Sequence, residues 1–264
     1  MSPTSRANPE NETRDGDTGS VKVDLLIDGI FVVDRRVFLP EGRSLMYGGA
    51  AKSLLVQSGN EKILVDTGIG TVPEGPKFDA IRRVQTIKRS RSQGIERQLA
   101  KVGVKPAEIT AVVNTHLHNA HCGGNNLFKN AHFYIAKSEF DFIEKVVDDD
   151  PNQTAYIMEN FDKVKSVNET RGEYQLTEDV RLIPTPGHTT GHQSVVVSLG
   201  GGRKLVYSGD VAPLKENLVK RVAMTSYDRE MNIESMKKLL KIKDAKWVFS
   251  HDSSQLSLAK AFAP

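Results

Sequence analysis

One feature of this sequence restricts its fold more than any other. Five apolar runs with high β-strand propensity are each followed directly by a segment that carries a histidine or an aspartate. Residues at strand ends can converge on one edge of a sheet, where the sheet holds them rigidly, so the pattern predicts a sheet-based fold with one polar site. The five segments are "LVDTG" with Asp66, "VVNTHLHNAH" with His116, His118 and His121, "PTPGHTTGH" with His188 and His192, "VYSGD" with Asp210, and "VFSHD" with His251.

Histidine is concentrated in these segments, which contain six of the seven histidines in the chain. His116 and His118 are two residues apart in an extended stretch, so both side chains point the same way and can bind one ion. Neutral imidazoles with aspartate suit zinc, iron or manganese. Because Cys122 is the single cysteine, no thiolate cluster can form, and the pattern indicates a catalytic rather than a structural metal centre.

Each motif also has a purely structural interpretation. A lone His-x-His pair is often a solvated turn or a core histidine, and His188 or His251 alone is weaker still. All five segments in this order would need five independent structural explanations, which favours the metal centre.

Composition places the chain among ordinary globular proteins and excludes several classes. It has 264 residues, 38% hydrophobic and 26% charged, enough for a full core. A balance of 36 basic against 33 acidic residues predicts no nucleic-acid partner. One cysteine, no apolar run long enough to span a bilayer and no signal-peptide core predict a soluble, cytoplasmic protein without membrane contact.

The domain organisation follows from the distribution of apolar residues. Residues 1–20 are almost purely polar and predict a flexible tail, and residues 21–264 predict one domain. Patterns within it predict one or two strands at 21–34, a loop at 35–50, a hairpin at 52–68, a helix at 93–103, mostly helix at 138–165 and a helix at 232–243 capped by Asn232.

The motif order "LVDTG", "THLHNAH", "TPGHTTGHQS", "YSGD" and "FSHD" resembles that of the metallo-β-lactamase-fold hydrolases. The resemblance implies an α/β (α+β) fold: a four-layer αββα sandwich of two similar halves, with the metal site at one edge between the sheets. It also implies zinc as the cofactor, as one or two ions, with iron or manganese as alternatives, and no organic cofactor.

The resemblance assigns roles to individual residues. The first metal would be bound by His116, His118 and His188, and the second by His121 and His251, with Asp210 as the bridge. Asp210 and Asp66 are the predicted catalytic carboxylates: Asp210 holds the nucleophile or shuttles its proton, and Asp66 orients a ligand histidine through its other ring nitrogen. His192 is interpreted as a turn or supporting residue.

Ala120 departs from the family motif, which is His-x-His-x-Asp-His and has a metal-binding aspartate at this position. Loss of this aspartate should weaken metal binding at the second site. Asn119 is not expected to replace the aspartate, because the Asn119 side chain should project away from the neighbouring ligands. Three explanations stay open: a natural one-metal hydrolase, a pseudo-enzyme, or a laboratory Asp-to-Ala substitution, which we favour slightly because the rest of the constellation is intact.

Further segments resemble the N-acyl homoserine lactonases of this family: "HCGGNNLF", "GDVAPLKENL" and "VFSHDSSQ". The implied activity is quorum-quenching hydrolysis of a lactone or related carboxylic ester by a metal-bound hydroxide, impaired here by Ala120. A glyoxalase II-like thioester hydrolase and a weak or inactive binding protein are the alternatives. Pro213 stands where those lactonases have a substrate-contacting tyrosine.

The predicted partner is a small-molecule substrate. Apolar residues in segment 31–50 could line its channel, fill the core or form a homodimer contact. Tyr207 and Tyr227 are interpreted as ordinary packing or surface residues rather than substrate contacts.

Overall fold

The computed structural model describes residues 21–84, 86–146 and 156–260. The predicted tail at 1–20 and the acidic break after residue 146 lie outside the described residues, so the tail and the single-domain boundary stay predictions. The strands are β1 (Lys22–Asp34), β2 (Met46–Ser58), β3 (Glu61–Val65), β4 (Thr86–Lys88), β5 (Ala111–Val113), β6 (His132–Ala136), β7 (Val167–Thr170), β8 (Tyr174–Gln175), β9 (Val180–Pro184), β10 (Gln193–Ser198), β11 (Lys204–Tyr207) and β12 (Ala245–Val248).

Helices are short and lie between these strands. They are α1 (Asp79–Val84), α2 (Ile95–Lys101), α3 (Asn119–Cys122), α4 (Lys137–Val146), α5 (Lys215–Lys220) and α6 (Arg229–Leu239). Seven 3-10 segments complete the described elements: Arg35–Val37, Pro76–Phe78, Pro106–Glu108, Asn125–Leu127, Met158–Phe161, Gly209–Val211 and Ser253–Lys260. Among the described residues, no helix is long and apolar enough to cross a membrane.

The strands form two mixed sheets. The first has seven strands in the order β4-β1-β2-β3-β5-β6-β7, and the second has five in the order β12-β11-β10-β9-β8. In the first sheet β3, β5, β6 and β7 are parallel, whereas the pairs among β4, β1, β2 and β3 are antiparallel. In the second sheet only β11 and β12 are paired in parallel.

Three apolar layers separate these elements. The inner layer joins both sheets and includes Leu54, Val113 and Val195. A second layer covers the outer face of the first sheet with α2, and a third covers the second sheet with α6. The predicted fold class, a four-layer αββα sandwich, is thereby confirmed.

Strand β2 begins earlier than its sequence predicts. The sequence predicts a loop up to residue 50, but residues 46–51 pair with β1 in antiparallel register, with Gly49 opposite Phe31. A Cβ at Gly49 would lie 2.9 Å from the Phe31 ring. The small side chains that weaken the strand signal in this stretch are therefore required by an aromatic ring packed on it.

The cap of helix α6 also differs from the prediction. Asp228, rather than Asn232, is the N-cap, and its side chain accepts a hydrogen bond from the Met231 amide. Asn232 lies inside the helix and is fully buried.

Strand direction places the polar motifs at one edge. In the first sheet β3 and β5 are parallel, so Asp66 and the His116 segment follow carboxyl ends on the same side. In the second sheet β9, β11 and β12 share a direction, so the loops bearing His188, Asp210 and His251 also emerge together.

Candidate metal centre

The histidine motif after β5 changes conformation within six residues. His118 is extended and immediately precedes α3, and its carbonyl accepts hydrogen bonds from the amides of His121 and Cys122. This turn brings His121 back toward His116. The sequence interpretation of Asn119 as part of an extended strand end is therefore wrong, although its side chain does point away, toward the Gly70 carbonyl and Asn160.

Three imidazole nitrogens form a first donor group. Nδ1 of His118 lies 3.1 Å from Nε2 of His116 and 3.0 Å from Nε2 of His188. Metal–nitrogen bonds of about 2.0–2.1 Å in a tetrahedral site place ligand nitrogens about 3.3 Å apart. The spacing therefore fits one ion with an open fourth position.

A second donor group lies beside the first and shares Asp210 with it. Nε2 of His121 is 3.2 Å from Nε2 of His251, and Oδ1 of Asp210 is 3.3 Å and 3.1 Å from these nitrogens. The other carboxylate oxygen, Oδ2, faces the first group, at 3.5 Å from Nε2 of His188 and 4.0 Å from Nε2 of His116. Asp210 thus offers one oxygen to each group.

Hydrogen bonds on the far side of the rings fix their orientation. Nδ1 of His251 donates to the Ala50 carbonyl at 2.9 Å, and Nδ1 of His188 donates to the Thr225 carbonyl at 3.2 Å. A proton on Nδ1 leaves the Nε2 lone pair facing the centre, as metal ligation requires.

Asp66 holds His121 in the same way. Its Oδ2 lies 2.7 Å from Nδ1 of His121, and its other contacts are the Thr115 amide and hydroxyl and the Tyr207 hydroxyl. The backbone of Asp66 is left-handed, with φ of 59°, a conformation that aspartate tolerates better than most residues. The carboxylate is thereby turned into the interior rather than along β3.

Tyr207 and Tyr227 differ sharply in their surroundings. Tyr207 is fully buried, and the single proton of its hydroxyl faces both the Lys52 carbonyl, at 2.8 Å, and Oδ2 of Asp66, at 3.1 Å, so it supports the centre rather than merely packing. Tyr227 is 62% exposed and meets the Phe142 ring.

His192 engages both of its ring nitrogens inside the protein. Nδ1 contacts the Thr185 hydroxyl at 2.8 Å, and Nε2 accepts the Asp210 amide at 2.9 Å. No lone pair is left for an ion, so His192 supports the loop that carries Asp210.

Burial and charge set the protonation of the donors. Burial lowers the pKa of His116 and His118 well below the ordinary value and that of His188 to about 4, so these rings are neutral. Burial also opposes charge on His121 and Asp210. The Asp210 and Asp66 carboxylates nevertheless raise the pKa of His121 to about 10, and the His251 and His121 rings hold the pKa of Asp210 well below its usual range.

An apolar cavity of about 240 Å³ opens onto both donor groups. The methyl group of Ala120 forms part of its wall, next to His121. The lining residues are Phe31, Val33, Val37, Phe38, His118, Asn119, Ala120, His121, His188, Asp210, Met224, Thr225 and His251. Segment 31–50 therefore supplies part of the wall, whereas its residues Leu45 and Met46 are exposed.

Lys52 is a supporting residue that the sequence interpretation missed. Its buried ammonium donates to the carbonyls of Phe249 and Asp252, on either side of His251 in sequence, at 2.8 Å and 2.6 Å. The available signal was a lysine within the apolar run "GGAAKSLLV", since a charge there must find partners in the core.

Comparison with known families identifies the superfamily. A family profile described as "Metallo-beta-lactamase superfamily" matches residues 46–251, which contain all six donors. The chain belongs to the metallo-β-lactamase superfamily. Within that superfamily, it is 27% identical over 262 residues to an N-acyl homoserine lactonase of Bacillus cereus, covering 87% of this chain and 98% of the relative.

Solved structures agree with this superfamily fold. A variant of the Bacillus thuringiensis lactonase AiiA, with N-decanoyl-L-homoserine bound at its active site, matches with a TM-score of 0.79 at 23% identity, covering 90% of this chain and 96% of that one. AidC, a dizinc quorum-quenching lactonase in complex with a product, matches with a TM-score of 0.69 at 22% identity, covering 90% and 89%.

Proposed function

We propose that this protein is a metal-dependent hydrolase of lactones, with N-acyl homoserine lactones or related carboxylic esters as substrates. The observation that carries the proposal is the sharing of Asp210 by two donor groups at the mouth of an apolar cavity. The lactonase relatives support the reaction type. Activity against bacterial signals, cytoplasmic location and a homodimer stay predictions.

In this proposal His116, His118 and His188 hold the first ion, and His121 and His251 hold the second, with Asp210 between them. Zinc suits three imidazoles and a carboxylate, and iron or manganese can take the same ligands. When bound, the metal lowers the pKa of a water molecule and polarises the substrate carbonyl.

The protein's own groups orient the reactants. Asp210 is ionised and can accept a hydrogen bond from the attacking water and then its proton. Phe31 and Met224 in the cavity wall would hold an acyl chain and exclude bulk water. The side chain of Pro213 has no hydrogen-bond donor, and its backbone carbonyl accepts a hydrogen bond from the His251 amide. Polarisation of the substrate carbonyl therefore depends on the metal.

Because of Ala120, the second ion is bound more weakly than the first. Three protein donors face that position, and a methyl group stands where a fourth would be. We therefore propose reduced occupancy of the second position and reduced turnover. Loss of one anionic ligand has this effect because the ligand's charge contributes directly to metal affinity.

Restoring the carboxylate tests this. Ala120→Asp should raise bound metal toward two ions per chain and should raise lactone hydrolysis at least tenfold. Leu127→Asp adds the same charge at an exposed position and should change neither. Metal analysis after dialysis and turnover of a lactone are the measurements, and unchanged values for Ala120→Asp would overturn the assignment.

A substrate panel separates the remaining alternatives. N-acyl homoserine lactones, simple esters and glutathione thioesters are compared on the parent and on Ala120→Asp. Preference for thioesters would replace the lactonase proposal with a glyoxalase-type one, and a folded, metal-loaded protein without turnover would indicate a binding protein.

A further inference from the structure

Glu139, in the first turn of α4, is a buried carboxylate that the proposed chemistry does not use. It is 0% exposed, and among the described residues no lysine or arginine pairs with it. A buried charge without a counter-ion is costly unless hydrogen bonds compensate for lost hydration. Its contacts must therefore explain why the fold tolerates it.

Four donors from three segments of the chain surround this carboxylate. Oε1 accepts the Leu117 amide at 3.0 Å and the Tyr156 hydroxyl at 3.3 Å. Oε2 accepts the Thr189 hydroxyl at 2.6 Å and the Gly191 amide at 3.0 Å. Each oxygen has two donors, so the ionised group is fully satisfied.

Three of these donors, all except the Tyr156 hydroxyl, belong to the two loops that supply the first donor group. Leu117 lies between His116 and His118, and Thr189 directly follows His188. Each carboxylate oxygen holds a different loop, so one rigid group fixes the separation of the two loops.

The backbones around Glu139 are also in direct contact. A Cβ at Gly191 would lie 2.2 Å from the Glu139 nitrogen and 2.6 Å from its Cα, so the His188 loop rests on the first turn of α4. The Tyr156 ring, whose hydroxyl binds Glu139, lies 4.6 Å from the His118 ring. Glu139, in the first turn of α4, therefore contacts both loops directly and the His118 ring through Tyr156.

We propose that Glu139 is a positioning residue for the first metal: it sets the distance of His188 from His116 and His118. This inference rests on the proposed metal centre. It extends the centre to a carboxylate that touches neither ion nor substrate.

Glu139→Gln is the direct test. Whichever way the amide is turned, its NH₂ faces a backbone N–H, that of Leu117 or that of Gly191, so one loop loses its acceptor. The dissociation constant of Co²⁺ should rise about 10- to 100-fold, and the visible bands of bound Co²⁺ should change as the ligand geometry changes. Co²⁺ alone is titrated into the metal-free full chain.

Leu99→Ala controls for a general loss of stability. Leu99 is fully buried in the apolar layer that also contains Leu117 and Tyr156. It takes no part in the hydrogen bonds between Glu139 and the two loops. It should lower the unfolding midpoint and leave the Co²⁺ affinity and spectrum unchanged. If it changed them as much as Glu139→Gln, a positioning role would be contradicted.

Thr189→Val provides a milder variant if Glu139→Gln does not fold. It removes one hydroxyl donor and keeps the Gly191 amide, so Co²⁺ affinity should fall severalfold with a smaller spectral change. A parent protein that binds no Co²⁺ overturns the proposed metal centre and this inference together. Equal affinity and spectra for the parent and the folded variants overturn this inference alone.

Discussion

Asp66 and His121 are joined by a hydrogen bond of 2.7 Å between Oδ2 of the carboxylate and Nδ1 of the ring. The bond places the Nδ1 proton on the side away from the centre, so Nε2 faces Asp210 and His251. Since Tyr207 and Thr115 hold the carboxylate in turn, the orientation of this ring is set by the interior of the sandwich rather than by the cavity.

Asp66→Asn should lower the affinity of the second metal position selectively. The amide can still accept one bond, but it removes the negative charge that makes His121 a stronger ligand. Zinc affinity at the weaker site should fall about 10- to 100-fold, as measured by competition with a chromophoric chelator. Tyr207→Phe removes a single hydrogen bond to Asp66 and should have a smaller effect. Equal zinc affinities in Asp66→Asn and the parent would contradict this role.

His192 and His188 should respond differently to substitution. His188→Ala removes a proposed ligand and should abolish tight binding of the first ion. His192→Gln keeps an acceptor near the Asp210 amide, so metal stoichiometry should be retained while the unfolding free energy falls by about 1–2 kcal/mol. Metal analysis and denaturant unfolding provide the comparison, and loss of an ion in His192→Gln would show that the ring is a ligand after all.

Lys52 should make stability depend on alkaline pH. Burial lowers the pKa of its ammonium from 10.5 to about 8, so between these values the unfolded chain binds more protons than the folded one. Stability from this group therefore rises with pH in that window. Relative to Lys52→Met, the unfolding free energy of the parent should increase by up to about 3 kcal/mol from pH 8 to 10.5. Urea unfolding of both proteins in chelator measures it, and a constant difference would contradict the expectation.

Met224→Ala should change substrate preference as well as stability. The side chain lines the cavity, so truncation enlarges the space near the donors and should lower KM for long acyl chains relative to short ones. Met236→Ala removes a buried methionine of α6 that does not line the cavity and should leave KM unchanged. Both should lose about 2–4 kcal/mol of stability. Parallel KM changes in the two variants would argue against the cavity as the acyl site.

The proposed metal donors could be predicted from the sequence because such a site places them at strand ends. A histidine at the end of an apolar strand is conspicuous, and six donors in four such segments, with the supporting Asp66 in a fifth, reinforce one another. The fold followed from the resemblance those motifs carry. The parallel pairing of β3 and β5, which brings Asp66 and the His116 segment to one edge, is visible only in the structure.

The supporting residues could not be predicted from the sequence, because the role of each depends on a contact between segments that are distant along the chain. Lys52 binds a carbonyl 197 residues away, and no local pattern encodes that meeting. Glu139 lies in the first turn of a helix, where an acidic residue ordinarily has a solvated role. Gly49 is required because the Phe31 ring occupies the space that a side chain would need. Phe31 is distant in sequence, so the local pattern around Gly49 showed only a weak strand signal for β2.

The six donors are divided evenly between the two sheets: His116, His118 and His121 follow strand β5 of one, and His188, Asp210 and His251 follow strands of the other. A bound ion would therefore act as a cross-link between the halves of the sandwich. At an ion concentration 100 times the dissociation constant, such binding adds about 2.7 kcal/mol to stability. Resistance of this protein to heat and proteolysis would then follow the metal supply of its surroundings, and a chelator would loosen the two halves as well as stop the reaction.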